Sequence, residues 1–339
     1  MKEELATISD VAKLSGLSVS TVSRVINNKP HVSEDKKRRV MDAMNALGYS
    51  PLQAARQMRG SGSGNIAVSV PTITNNFFAY LVDSIERTCR KYNYRTLITQ
   101  TYGERDREEE AMELVRMHHV DGIILCAIEN DWEKLKAYEQ YGKIVVCNEY
   151  NGDAQVATIC SRQYDGFYRA AEYLLDKGYK KIAYCTGSKA VVLQEKGINI
   201  NSDRYRGYVE ALSNRGIAAN PNWLYSHIGT MDDGRNVIRE ILKMNEKPDA
   251  IIAGSDEVAT GMLMEAMDHG IRVPDDLAIM GVDDQPIASL LQVPLTTIRQ
   301  PVQTEGEYAA KEMIRQLKEE PGEIKRIELD LELIIRQST

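Results

Sequence analysis

The chain has little of what would place it in a membrane, a secretory pathway or a fibre. None of its apolar runs approaches the roughly 18 residues that cross a bilayer. Its first residues lack the apolar core of a secretion signal, so we expect a cytoplasmic protein without a membrane partner. Charged residues make up 27% and hydrophobic residues 43%, which excludes a disordered or collagen-like chain. At 339 residues the chain is too long for one ordinary core.

Residues that carry catalysis or bind metals are also scarce. The five cysteines, at positions 89, 126, 147, 160 and 185, have no spacing typical of a zinc or redox pair, so we expect buried thiols. His118 and His119 lack a third metal ligand nearby, and no Gly-x-Ser-x-Gly motif occurs. The Gly/Ser run at 60–64 precedes the first predicted strand, which is the wrong side for a dinucleotide. We therefore expect no enzyme, no metal and no cofactor.

The charge is divided unevenly along the chain. Residues 1–60 contain ten Lys and Arg against six Asp and Glu, a net of +4, whereas the whole chain has a net of −7. A small basic head on a large acidic body is typical of nucleic-acid-binding proteins, because only the head has to meet phosphates. Ordinary surface variation is the alternative interpretation.

The first fifty residues predict three short helices. Thr7 and Asp10 form a capping-box-like start before an apolar face. Gly16 breaks that pattern, and Ser18 can cap a second helix. Ser33 can cap a third helix, which braces the first two. Two short helices about a glycine-bearing turn are the helix-turn-helix arrangement.

The exposed start of the second helix carries side chains that suit base pairs. Arg24 could form two hydrogen bonds to guanine, Ser20 could bond either base, and Val19 could contact a thymine methyl group. Thr21 and Ser23 suit phosphate oxygens. The alternative is that Arg24 is an ordinary solvated surface residue.

Residues 50–64 predict a short hinge. Ser50 can cap a helix, Pro51 suits its first turn, and Gly60 ends it after barely two turns. So short a helix is marginal alone and needs a partner surface. The Ser/Gly run that follows is a flexible tether.

From residue 65 onward, apolar strand-like runs alternate with amphipathic helices. This alternation predicts parallel sheets in two doubly wound halves, with a ligand cleft at the carboxyl ends of the strands. The predicted strands are 66–70, 95–99, 122–126, 144–147, 182–185, 223–228, 250–253 and 278–282, and the helices between them include 77–92, 106–118, 164–177, 202–215, 232–244 and 256–269.

Several stretches in register resemble the lactose-repressor/galactose-repressor (LacI/GalR) family of bacterial transcription factors. In the head they are ISDVA at 8–12, STVSRVIN at 20–27, VS at 32–33 and ALGYSP at 46–51. In the body they are VDGII at 120–124, KGY at 177–179, RYRGY at 204–208, GSD at 254–256, GVDD at 281–284 and PLTTIRQP at 294–301.

The resemblance implies an all-α helix-turn-helix head with a hinge helix, and a periplasmic-binding-protein-like α/β body of two subdomains. The expected boundaries are 1–49 for the head, 50–64 for the hinge and 65–339 for the body. Within the body we expect an N-subdomain at 65–160 and 292–320, and a C-subdomain at 161–291 and 321–339. It also implies a homodimer, and the strand-like ending at 329–339 favours a dimer over a tetramer.

The resemblance further implies that the head contacts a pseudo-palindromic operator in double-stranded DNA. Met58 stands where relatives often carry a leucine wedge that opens a central base step, and it is apolar and long enough to do so. The expected DNA contacts are Thr7, Ser18, Val19, Ser20, Thr21, Ser23, Arg24, Asn27, His31, Tyr49, Ala55, Arg56, Met58 and Arg59.

For the body, the resemblance implies a small effector in the cleft, most simply a sugar. The expected effector contacts are Asn76, Phe77, Phe78, Ile128, Glu129, Asn148, Arg204, Met231, Asp256 and Asp283. Cys160-Ser161 and Asn148-Glu149 depart from the residues common in relatives at the predicted cleft, which points to a different effector or to none.

We therefore expect a repressor of carbohydrate-utilisation genes, whose operator affinity is switched allosterically by a small molecule. One alternative is a catabolite-control regulator that takes its signal from a phosphocarrier protein. Another is a sugar-binding protein for uptake, which the DNA-binding head opposes. Inducer and corepressor remain open.

Overall fold

The structure, a computed structural model, describes residues 6–26, 29–49, 62–150, 156–187, 199–322 and 326–339. The chain divides into two compact units, Met1–Ser63 and Gly64–Thr339. None of the helices in the described ranges is long and apolar enough to span a membrane.

In its described residues, the first unit contains three helices, α1 (Ile8–Ser15), α2 (Val19–Ile26) and α3 (Glu34–Leu47). They confirm the predicted helix-turn-helix head. Its small core is formed by apolar side chains from all three helices, among them Val11, Val22, Val25 and Val40.

Local polar contacts fix both ends of α1. The backbone N–H of Thr7 donates to the Asp10 carboxylate at 2.8 Å, and the Thr7 hydroxyl oxygen accepts from the Asp10 N–H at 3.4 Å, which is the predicted capping box. Gly16 ends the helix with a φ of 65°, a conformation that favours glycine. Arg39 of α3 then donates to the Ser15 carbonyl at 2.6 Å and so ties α3 to the end of α1. Ser33 occupies the cap position of α3, but its side chain forms no capping hydrogen bond.

The second unit is built from twelve described strands and eight described helices. The strands are β1 (Asn65–Val70), β2 (Arg95–Gln100), β3 (Gly122–Leu125), β4 (Lys143–Cys147), β5 (Ala157–Ser161), β6 (Ile182–Cys185), β7 (Leu224–Tyr225), β8 (Ala250–Ile252), β9 (Ala278–Asp283), β10 (Thr296–Arg299), β11 (Arg326–Leu329) and β12 (Glu332–Ile334). The helices are α4 (Asn76–Lys91), α5 (Arg105–Arg116), α6 (Trp132–Lys136), α7 (Gln163–Asp176), α8 (Ile200–Asn214), α9 (Met231–Lys243), α10 (Asp256–Asp268) and α11 (Val302–Leu317).

These strands form two six-stranded sheets. We call the part around the first sheet, in the order β11-β5-β4-β3-β1-β2, the first lobe. The second lobe surrounds the sheet β12-β10-β9-β8-β6-β7. All described pairings are parallel except that of β12 with β10. The two doubly wound halves expected from the sequence are thus confirmed.

The apolar strand runs arise because helices cover both faces of each sheet. In β1, Ile66 and Val68 pack in one cluster with α4 and α11, whereas Ala67 packs in the opposite cluster with Met112 and Val115 of α5. A strand that is buried on both faces reads as a continuous apolar run instead of an alternating one.

The chain passes between the lobes three times, and this corrects the expected subdomain boundaries. Residues 292–320 were expected in the N-subdomain, but β10 pairs with β9 in the second lobe. Residues 321–339 were expected in the C-subdomain, but β11 pairs with β5 in the first lobe. The crossovers therefore follow β5, β10 and β11, because strand pairing at the sheet edges decides which lobe each segment joins.

Close contact between the backbones of α9 and α10 depends on glycine. A Cβ atom at Gly261 of α10 would collide with the backbone carbonyl oxygen of Met231, and one at Gly234 of α9 would collide with that of Val258. A backbone atom cannot rotate away as a side chain can. We expect Gly261→Ala to lower the free energy of unfolding by about 1–3 kcal/mol, measured by urea denaturation.

Gly229→Ala is the matched control, because a Cβ there meets nothing within 4 Å. It should unfold at the wild-type urea concentration. Equal midpoints for Gly261→Ala and wild type would contradict the close approach of the two helices.

Candidate functional sites

Helix α2 presents one side to solvent and the other to the core of the head. Val22 and Val25 are buried, while Val19, Ser20 and Arg24 are exposed, as expected for a surface that reads DNA. The helix is therefore anchored by its apolar side and has an accessible polar side.

Hydroxyl groups organise the start of α2. The Ser18 side chain accepts from the Thr21 N–H at 3.2 Å and so caps the helix. The Ser18 hydroxyl also lies 2.9 Å from that of Ser20 and 2.8 Å from that of Thr21. Arg24 donates to the Pro30 carbonyl at 3.0 Å, which engages one of the five N–H donors of a guanidinium group.

The other expected DNA contacts in the head have varied surroundings. Thr7 is exposed and caps α1, and His31 is exposed with a φ of 67°. Ser23 is half-buried, and Tyr49 packs against the core of the head. The remaining expected contacts lie outside the described residues: Asn27, Ala55, Arg56, Met58 and Arg59.

A cavity of ≈ 220 Å³ lies where the carboxyl ends of both sheets meet. The first lobe contributes side chains that follow β1, β3 and β4, and the second lobe contributes the start of α8 and residues at or after the ends of β8, β9 and β10. The lining residues are Pro71, Asn75, Phe77, Phe78, Cys126, Ala127, Asn148, Glu149, Ile200, Asn201, Arg204, Gly254, Ser255, Asp283 and Gln300.

Five of the ten expected effector residues line this cavity. They are Phe77, Phe78, Asn148, Arg204 and Asp283. The two phenylalanine rings stand edge to face, with centroids 5.3 Å apart. Arg204 and Asp283 come from different elements of the second lobe, so the two charged groups meet only in the folded chain.

The other five expected residues lie elsewhere. Asn76 donates to the side chain of Gln285 at 3.3 Å, a bond that joins the two lobes. Ile128 packs against the core of the first lobe, and the Glu129 backbone N–H donates to Glu108 at 3.0 Å. The fourth and fifth are Met231, which is exposed at the start of α9, and Asp256, which is fully buried.

Asp256 organises the loop beneath the cavity. Its carboxyl oxygens accept from the Gln285 N–H and from the Thr297 hydroxyl, both at 2.6 Å. Burial, together with the charge of the neighbouring Asp283, raises the pKa of Asp256 to about 8. Its position after a strand suggested a ligand contact, but its bonds go to the protein.

Two glutamines that sequence reasoning missed connect the charged groups of the cavity. Arg204 donates to Gln163 at 2.7 Å and to Gln300 at 3.3 Å, and Gln300 donates to Asp283 at 2.7 Å. Gln163 also donates to Gln300 at 3.0 Å. Gln163 begins the helix after the β5 crossover, and Gln300 is the first residue of the crossover after β10. The cavity is therefore connected to the hinge between the lobes.

The two pairs that depart from the family pattern, Asn148-Glu149 and Cys160-Ser161, lie in different surroundings. Asn148 and Glu149 line the cavity, and burial raises the pKa of Glu149 to about 7. Cys160 instead packs with Tyr150 and Ile200, and Ser161 donates to the buried carboxylate of Glu305. Cys160 and Ser161 are therefore not among the residues that line this cavity, although Ser161 lines a second cavity, of ≈ 300 Å³, to which both lobes contribute side chains.

Buried carboxyl groups give the body a definite pH dependence. A carboxyl group whose pKa is higher in the folded chain than in the unfolded chain is harder to ionise in the folded chain. It therefore lowers the free energy of unfolding as the pH rises and the group loses its proton. Below the unfolded pKa near 4 the penalty is absent, and for Asp256 it is complete above about 8. We expect these carboxyl groups to lower the free energy of unfolding progressively between about pH 4 and 8, as measured by urea denaturation at each pH.

Asp256→Asn should reduce this fall by up to about 1.4 kcal/mol per pH unit. The amide can keep both bonds by accepting from the Gln285 N–H and donating to Thr297. Asp232→Asn, at an exposed position in the same lobe, is the control and should keep the wild-type slope. Parallel slopes in all three proteins would contradict an ionisation penalty at Asp256.

The comparisons with known proteins match both parts of the chain. Residues 7–51 match the family described as "Bacterial regulatory proteins, lacI family", and residues 171–339 match a periplasmic binding protein-like domain.

Full-length relatives extend this similarity. The chain is 34% identical to the NTD biosynthesis operon regulator NtdR of Bacillus subtilis, over 99% of this chain and 100% of the relative. It is 32% identical to the ribose operon repressor of Halalkalibacterium halodurans, over 99% and 97%. A LacI family transcriptional regulator from Lactobacillus casei, solved with bound glucose, is 30% identical with a TM-score of 0.72, covering 81% of this chain and 99% of that one. The chain therefore belongs to the LacI family of DNA-binding transcriptional regulators.

Proposed function

We propose that the protein represses carbohydrate-utilisation genes by binding a pseudo-palindromic operator, and that a small sugar-like effector changes its operator affinity. The observation that carries this proposal is the exposed polar side of α2 in a chain that also holds a polar cavity between two lobes. Repressors among the full-length relatives support it. We place this action in the cytoplasm, at the nucleoid, and assign the protein no catalytic activity.

The head would read DNA through α2. Its N-terminal residues are exposed, and a helix of this kind fits the major groove. Arg24 would bond a guanine, and Ser20 and Val19 would contact neighbouring bases. Hydroxyl groups such as those of Ser18 and Thr21 would bind phosphates. Met58 would open a base step in the minor groove, as the family resemblance implies.

We infer that the body forms a homodimer through its exposed apolar residues. Leu97 and Ile98 on the edge strand β2 are 43% and 44% exposed, and Met264 and Met267 on α10 are similarly exposed. An edge strand with exposed apolar residues tends to be covered by another chain. A dimer would present two heads, which a pseudo-palindromic operator requires.

Effector binding would act through the angle between the lobes. The Tyr150 hydroxyl donates to Asp203 at 2.7 Å, and this bond joins the first lobe to the second, as does the Asn76–Gln285 bond. A ligand that contacts both lobes favours the closure angle at which its contacts are best. If the heads of a dimer follow that angle, operator affinity changes with it.

Arg24→Ala tests base reading by α2. We expect operator affinity to fall by about 5- to 150-fold, because a guanidinium contact to a base is worth about 1–3 kcal/mol. Binding to random duplex DNA should change much less. Fluorescence anisotropy with upstream DNA and with a shuffled duplex, at one salt concentration, measures both.

Arg38→Ala is the control for lost charge, because Arg38 is exposed on α3 and paired with Asp35 at 2.8 Å. It should not lower operator preference over random DNA. Unchanged operator preference in Arg24→Ala would contradict its role in base reading, and equal wild-type affinity for both duplexes would contradict sequence-specific binding.

A further inference from the structure

One hydrogen-bond acceptor of the cavity has no partner within the described residues. Asn148 is 6% exposed, and its side-chain oxygen has no hydrogen-bond partner among the described residues. Its amide nitrogen faces the Cys126 carbonyl at 3.5 Å, a long contact that points the oxygen away from that carbonyl. A buried unpaired acceptor is costly, so this atom indicates a ligand that donates.

Charge in the cavity is also unbalanced. Glu149 and Asp283 contribute two carboxyl groups, and Arg204 is the one cationic side chain in the described lining. The positive charge of Arg204 lowers the pKa of both carboxyl groups. Its hydrogen bonds, however, go to the amide oxygens of Gln163 and Gln300. With both carboxyl groups ionised, these lining side chains carry a net charge of −1.

We propose that the effector carries a protonated amine, and that the cavity selects an amino sugar or a similar aminated polyol over its neutral parent. This inference rests on the proposed function, since it names the chemical class of that effector. An ammonium group supplies three N–H donors and one positive charge. It would donate to Glu149 and to the free oxygen of Asn148, while Phe77 and Phe78 pack against the apolar face of the ring.

The selection follows from the cost of desolvating charge. Glu149 accepts from the Tyr150 backbone N–H at 3.2 Å, and neither it nor Asp283 forms an ion pair within the described residues. A neutral ligand that closes the cavity would remove water from such a carboxylate without supplying a positive charge, which is unfavourable. An ammonium group replaces that water with a charge-assisted hydrogen bond. Closure of the cavity is therefore unfavourable around a neutral sugar and favourable around the corresponding amino sugar.

A matched panel tests this class directly. Glucosamine, galactosamine and mannosamine are compared with glucose, galactose and mannose, and with the three N-acetyl derivatives, in which the positive charge is removed. Isothermal titration calorimetry on the full-length protein gives each dissociation constant. We expect at least one amine to bind about tenfold or more tightly than both its neutral parent and its N-acetyl form.

The variant Glu149→Gln tests whether the preference for amines arises in the cavity. The amide keeps the size of the side chain but removes the charge, so the amine should lose most of its advantage over the neutral parent. Asp283→Asn should act in the same direction. Glu133→Gln, the same change at an exposed position on α6, is the control and should keep the full preference.

Equal or weaker binding of every amine relative to its neutral parent would overturn the proposal, as would a full preference in Glu149→Gln. Absence of binding by all three amines overturns it as well. Operator affinity measured with the same ligands separates this inference from the proposed function. If neutral sugars alone change operator affinity, the proposed function stands and the amine assignment fails. If no ligand changes operator affinity, both the sugar-like effector of the proposed function and the amine assignment are contradicted.

Discussion

The structure of the body depends on one constraint, which is that the chain crosses between the lobes three times. Each lobe takes its sheet from distant parts of the sequence, as the pairing of β11 with β5 and of β10 with β9 shows. The lobes can therefore change their relative angle only by bending all three crossovers together. This makes the hinge cooperative and places it directly beside the cavity.

Gln163 and Gln300 lie at two of these crossovers, and they bond to each other and to charged groups of the cavity. Neutral amides can donate on one side and accept on the other, so they connect Arg204 with Asp283 without neutralising either. A ligand that engages these charged groups therefore also acts on the hinge. Because the carboxyl groups are buried, their ionisation depends strongly on whether a cation lies nearby.

Most of the fold follows from the sequence because its local signals agree. The capping box at Thr7, the left-handed turn at Gly16 and the apolar runs of β1, β3 and β4 lie where the patterns predict. The run 223–228 contributes only the two residues of β7, because Pro221 begins a 3₁₀ turn that occupies the start of that run. The short strands β5 and β10 were not predicted, because polar residues interrupt their apolar pattern: Thr158 and Ser161 in β5, and Thr296, Thr297 and Arg299 in β10.

The cavity was less predictable, because a position after a strand does not say where a side chain points. Asp256 and Asp283 both follow or end strands of one sheet, yet Asp256 bonds the protein beneath the cavity and Asp283 lines it. Gln163 lies in none of the family stretches, and Gln300 lies in the PLTTIRQP stretch at 294–301 without being marked as a cavity residue. The importance of both arises from crossovers that only strand pairing defines.

Thermodynamic linkage provides the most direct test of the coupling between cavity and head. Operator affinity is measured with and without the tightest ligand of the sugar panel, and affinity for that ligand is measured with and without operator. The account predicts that the two ratios are equal and differ from one by about 5- to 150-fold. A ligand that binds the cavity but leaves operator affinity unchanged would contradict it.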